Sequence, residues 1–126
     1  MKLFLLACAG GALGAGARYL VYLEVTRHWG ANFPWATLTV NVVGSLVIGI
    51  LAALLLEKWP DTVELRVFLI TGILGGFTTF SAFSFDVMTL AERSEAMNAL
   101  YYIASSVALS ILACWAGLAV VRAYFE

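Results

Sequence analysis

The sequence predicts an all-α membrane protein of four transmembrane helices. Three observations carry that prediction: the chain has 126 residues, 63% of them are hydrophobic, and only 12% are charged. A soluble domain carries about 25% charged residues, so the polar surface is roughly half of what a small globule needs. Small domains have the most surface per volume, so the shortfall cannot be buried. Four spans of about 20 residues, each rising about 1.5 Å per residue, cross a ~30 Å hydrocarbon layer and leave only short loops and tails. A soluble enzyme, a nucleic-acid module and a disulfide scaffold are all poor fits. The net charge of −1 offers no basic patch for nucleic acid.

The first span is expected from about residue 3 to 23. Its opening, with Leu5-Leu6-Ala7-Cys8, has a lipoprotein-signal look, but only about five apolar residues precede Cys8, fewer than the 7–15 of a signal core. The apolar run also continues to Leu23, so a first transmembrane helix is the better reading. The second span is expected over 35–56, the third over 65–85 and the fourth over 99–121, all in one domain covering 1–126. Loops are expected at 24–34, 57–64 around Pro60, and 86–98. Pro34 and Pro60 thus fall in loops or at a helix start, where a missing N–H is tolerated. Trp29, Trp35, Trp59 and Tyr124 lie near span ends, as an interfacial aromatic belt requires. Of eleven glycines, only Gly30 lies outside the expected spans. The pairs Gly10/Gly14 and Gly72/Gly76 have the GxxxG spacing that lets helix backbones approach closely. The glycine-rich stretch in the first span is not a dinucleotide loop, because no strand precedes it. Cys8 and Cys114 both sit in apolar runs and read as small packing residues.

Four spans put both termini on one side. That side carries Lys2, Lys58, Arg66 and Arg122; the other carries Arg27 and Arg93, with Arg18 near the end of the first helix. Lys/Arg asymmetry sets orientation, and four against three is almost no bias. Two readings stay open: a weakly biased single topology, or insertion in both orientations with oppositely oriented copies pairing as an antiparallel homodimer.

Residues with chemical potential cluster in the last three spans. Gly75-Gly76 and Thr78-Thr79 weaken a helix in the third. A break there would expose carbonyls that suit hard cations and N–H groups that suit anions; a continuous helix with a small-residue face is the other reading. Phe80 and Phe83 are three apart and share a face. Such rings are commonly core or lipid-facing, but their positive edges can also meet an anion. Asn41 in the second span can bond a neighbouring helix or donate to an anion. Ser106 and Ser110, with Tyr102 one turn before and Cys114 one turn after, form a polar stripe on the fourth helix. Arg18 is the one strongly basic residue well inside a span, a functional candidate by default. No carboxylate is expected inside a span: Glu24, Glu57, Glu64 and Asp86 all mark ends. With the single His28 in a loop, no nucleophile–base pair is available, and the protein does not read as an enzyme.

Taken together these residues resemble the Fluc (CrcB) family of small fluoride channels. The resemblance covers the whole chain: GGALGAGARY with Arg18 in the first span, TLTVNVVGS with Asn41 in the second, and GGFTTFSAFSF in the third. It implies an antiparallel dual-topology homodimer in the bacterial inner membrane. Two fluoride pores, each lined by both subunits, would export fluoride passively from the cytoplasm. It further implies a third helix broken in mid-membrane and a structural Na⁺ on the dimer axis. Carried over by motif, the Gly75 and Thr78 carbonyls would hold Na⁺, while Phe80 and Phe83 would present ring edges to fluoride. Asn41, Ser81, Tyr102, Ser106 and Ser110 would complete the fluoride pathway, with Arg18 at the dimer interface. Ala82 departs from the hydroxyl residue expected within TTFSxF, which shifts weight to Ser81.

Two other functions are compatible with a short four-span chain. A small multidrug-type proton-coupled exporter needs an intramembrane carboxylate, which the first span lacks. A non-transporting subunit of a larger membrane complex would show no ion-selective efflux on its own.

Overall fold

The computed structural model describes residues 1–126 and is helical throughout, with no strands. Helix α1 runs Lys2–Trp29 and α2 runs Trp35–Lys58. The third crossing, Val63–Glu92, is composite. Helix α3 (Val63–Arg66) leads into a π-helical stretch (Val67–Leu74) and a last turn, α4 (Gly75–Phe77); α5 (Phe80–Glu92) follows an interruption at Thr78 and Thr79. Helix α6 spans Ala96–Phe125. Four helices are therefore long and apolar enough to cross a membrane, as the sequence predicts.

The helices are longer than their apolar cores, and the loops shrink accordingly. The segment expected as a first loop is helical to Trp29, and that expected as a third loop is helical to Glu92. Hydropathy marks where hydrocarbon ends, whereas backbone hydrogen bonding continues into the interface until a stop signal appears. At α1 that signal is Gly30, whose φ of 80° is in the region glycine tolerates. After α5, Ser94 turns the chain with φ 61°.

Packing follows two glycine seams. Helix α1 lies against the third crossing: a Cβ at Gly10 would sit 2.8 Å from the Gly72 Cα, and one at Gly14 would collide with the Ile73 carbonyl. Helix α2 lies against α6, where a Cβ at Gly117 would come within 2.5 Å of the Leu46 carbonyl oxygen and one at Gly49 would strike the Cys114 carbonyl. The GxxxG pairs of the first and third spans thus do the close packing their spacing predicts.

The two ends of the bundle differ. At one, Lys2 Nζ meets Glu64 Oε1 at 3.2 Å and the Lys58 ammonium lies 4.6 Å above the Phe125 ring. Both termini and the second loop therefore share that end. At the other, Trp29, Phe33 and Trp35 stack around the first loop. A small core of Phe83, Leu90, Ala99 and Tyr102, backed by Phe33, Leu38 and Val87, joins α5 to α6 there.

Candidate functional site

The interruption of the third crossing has a defined hydrogen-bond structure. Thr78 (ψ 158°) and Thr79 (φ −154°, ψ 122°) are extended, between two helical halves. Each threonine serves one half. Thr78 closes the first: its N–H and its hydroxyl both donate to the Leu74 carbonyl, at 2.9 and 2.8 Å. Thr79 opens the second as its N-cap, Oγ1 accepting the Ala82 N–H at 3.1 Å. The methyl of Thr78 rests against Gly44, where a Cβ would leave it no room. The broken helix that the resemblance implies is what the structure contains.

Asn41 clamps the break. Its Oδ1 accepts the Thr79 N–H at 2.8 Å, and its Nδ2 donates to the Thr79 carbonyl at 2.9 Å. One carboxamide thus satisfies both backbone groups of a residue that has left the helix. A buried polar group without a partner costs about 1–3 kcal/mol, and hydrocarbon raises the cost. One Nδ2 hydrogen is left over.

In a continuous helix the Thr79 N–H would close on the Gly75 carbonyl and the Ala82 N–H on the Thr78 carbonyl. Here both donors are diverted, to Asn41 and to Thr79 Oγ1. The carbonyls of Gly75 and Thr78 lose their helical donors, and Gly75 is exposed on the protomer surface. Backbone oxygens released in this way fit a hard cation such as Na⁺.

Beside the break lies an open cavity of about 470 Å³. Of the residues singled out from sequence, it gathers Asn41, Gly75, Thr78, Phe80, Phe83, Ser106 and Ser110. The Phe80 and Phe83 rings are 5.4 Å apart between centroids and tilted by 47°. Phe83 is buried, whereas Phe80 is 78% exposed. Ser106 is buried and its Oγ has no hydrogen-bond partner. No charged side chain lines this cavity.

The remaining candidates stand apart. Tyr102 is fully buried behind Phe83, with ring centroids 5.1 Å apart, and its hydroxyl donates to Asp86 Oδ2 at 2.9 Å. Ser81 is exposed and its hydroxyl lies 3.3 Å from Thr79 Oγ1. Arg18 is half-buried in a second cavity of about 450 Å³ with Tyr19, Tyr22, Thr37, Ala82 and Asp86.

Sequence reasoning missed two participants. Asp86 does not begin a loop: it is half-buried inside α5, tied to Tyr102, and faces the Arg18 cavity. The expectation of a loop from residue 86 is therefore corrected, since α5 continues to Glu92. Its spacing three residues after Phe83 placed it on the same helical face, a signal available in the sequence. Thr79 was read only as a helix-weakening residue, and its cap was not foreseen although threonine is a favoured N-cap.

The chain is similar in sequence to known proteins. Residues 5–118 match the family model described as CrcB-like protein, Camphor Resistance (CrcB). A protein of Rhizobium meliloti named fluoride-specific ion channel FluC is 54% identical over 123 residues, 98% of each chain. Proteins with the same name from Rhizobium etli and Rhodospirillum centenum are 56% and 50% identical, covering 94% and 97% of this chain and 95% and 97% of theirs.

Proposed function

The chain belongs to the CrcB-like family, which comprises ion channels and not enzymes, and on that premise we propose that it is a fluoride-selective channel exporting fluoride passively from the bacterial cytoplasm. The observation that carries this reading is the unpartnered, buried Ser106 hydroxyl in a cavity rimmed by two phenyl rings and free of charged side chains. Fluoride is small and strongly hydrated, so a pore must replace its water hydrogen bonds with donors held in place. Ser106, Ser110 and the remaining Asn41 N–H are such donors, and ring edges of Phe80 and Phe83 add positive potential without a fixed charge. A cationic ring would bind other anions as well. An interior-negative potential drives an anion outward by about 2.3 kcal/mol per 100 mV, so no coupling ion is required.

The working unit in this proposal is an antiparallel homodimer in the inner membrane. Support comes from what one protomer leaves unfinished: Phe80 is 78% exposed beside a cavity that is open rather than enclosed. A second copy would supply a wall and, by symmetry, a second pore, and the nearly balanced Lys/Arg count suits insertion in both orientations. The Gly75 and Thr78 carbonyls of two protomers would together hold a structural Na⁺, which supplies fixed positive charge at the dimer centre.

The test is ion efflux from liposomes containing the purified protein. Fluoride efflux without chloride efflux is expected, and Phe83→Ile should lower it at least about tenfold, equivalent to about 1.4 kcal/mol of barrier. Equal fluoride and chloride rates, or unaltered flux in Phe83→Ile, would overturn the reading. The proton-coupled exporter receives no support: residues 3–23 of the first span hold no carboxylate, and the relatives that match over nearly the full chain are named as channels.

A further inference from the structure

The geometry points to Asn41 as the positioning residue of the cation site, coupling it to the anion pathway through one rigid peptide plane. This rests on the proposed role of Gly75 and Thr78 in holding Na⁺. The Thr78 carbonyl and the Thr79 N–H belong to the same peptide unit, which is planar and trans, so the two point in opposite directions. Asn41 Oδ1 holds the Thr79 N–H at 2.8 Å, which turns the Thr78 carbonyl away from α2. The same bond withholds the Thr79 N–H from the Gly75 carbonyl, its helical acceptor. A single side-chain oxygen therefore aims one cation ligand and frees the other.

The other half of the carboxamide faces the anion side. Nδ2 spends one hydrogen on the Thr79 carbonyl at 2.9 Å and has one left, in the cavity with Ser106 and Ser110. An anion that engages this hydrogen pulls on the group that orients the Thr78 carbonyl. Bound Na⁺ in turn pre-sets the amide for the anion. The resemblance assigns Asn41 to the fluoride pathway; its two bonds to Thr79 give it a second role on the cation.

Sodium binding to the purified full-length protein tests this apart from flux. The probe is ²²Na⁺ in equilibrium dialysis at constant ionic strength, with K⁺ as replacement. Asn41→Leu removes the acceptor and should weaken sodium binding about tenfold, the scale of one lost hydrogen bond. Asn41→Asp keeps an oxygen for the Thr79 N–H but sets its other oxygen against the Thr79 carbonyl, so it should bind sodium more tightly than Asn41→Leu, whatever happens to its fluoride flux. Phe83→Ile should lose flux and keep sodium binding. Sodium bound as tightly by Asn41→Leu as by wild type would overturn the coupling and leave the cation site standing. Equal weakening in Asn41→Leu and Phe83→Ile would reduce the effect to general loosening and overturn it too. No sodium binding by wild type would overturn both. Should Asn41→Leu fail to fold, the wild-type ¹⁵N spectrum decides: Na⁺ titration should shift the Thr79 amide and the Asn41 carboxamide, and unmoved resonances would overturn the coupling.

Discussion

The third crossing presents two unlike faces to its neighbours. Toward α1 it is closed by backbone on backbone, with Gly10 and Gly14 against Gly72 and Ile73, and Gly76 against Gly11. Toward α2 and α6 it is open: a clamped break, a cavity, and a serine hydroxyl without a partner. The glycine seam of the first face holds no polar side chain to satisfy and gains only from contact; past it, alongside α5, the α1 side opens into the cavity of Arg18 and Asp86. The second carries groups whose hydrogen bonds are incomplete until an ion, water or another copy arrives. Small residues serve both faces for different reasons. Between helices they allow approach; at the break, Gly44 leaves room for the Thr78 methyl.

The sharpest way to break this contrast is to put a side chain into the closed face. Gly14→Leu drives a Cβ into the Ile73 carbonyl, which belongs to a helix and cannot rotate aside. The expected loss is about 3 kcal/mol or more, at the upper end for overpacking, read as lost folded yield and a lower Tm in detergent. Gly16→Ala is the internal comparison, since a Cβ there meets no atom of the protomer within 4 Å. The protomer should therefore tolerate it, and any loss of pairing in that variant would locate α1 at a contact between copies. A normal Tm for Gly14→Leu would show that the seam is not closed.

On the open face, a smaller effect is expected from Tyr102→Phe. This change keeps the ring against Phe83 and removes the hydroxyl, with its hydrogen bonds to Asp86 and Thr37. Leaving a buried polar group without its partner costs about 1–3 kcal/mol, so stability should fall by that amount, as the shift in chemical-denaturation midpoint would show. Flux should fall less than in Phe83→Ile, because Tyr102 lies behind the cavity wall and is absent from its lining. A Tyr102→Phe flux loss matching that of Phe83→Ile would move Tyr102 into the pathway itself.

These residues also show what the sequence could disclose. The four crossings and the GxxxG seam between α1 and the third crossing were legible, because hydropathy and small-residue spacing act over a whole helix; the seam of Gly49 and Gly117 between α2 and α6 carries no such spacing. The helix ends were not: α1 and α5 run past their apolar cores until Gly30 and the turn at Ser94 stop them. Asp86 is expected in a loop for the same reason, although its spacing from Phe83 hints at a shared helical face; its bond to Tyr102 on another helix has no local pattern to report it. Asn41 could be singled out as a polar residue in an apolar run. That it would spend its carboxamide on Thr79, 38 residues away, depends on how α2 and the third crossing pack.

The smallest effect is expected at the cap. Thr79→Ala leaves the Asn41 clamp intact, because that clamp uses only the backbone of residue 79. It removes Oγ1, so the Ala82 N–H loses its acceptor. Loss of an N-cap threonine costs about 1 kcal/mol, and Thr79→Ser should restore most of it. The freed Ala82 N–H can then turn back toward the Thr78 carbonyl and extend α5 by one residue. Circular dichroism would register little change, but sodium binding should weaken, since that carbonyl would again have a helical donor. Thr79→Ala with unchanged sodium binding would mean that the clamp alone holds the break open, and that the cap serves only the start of α5.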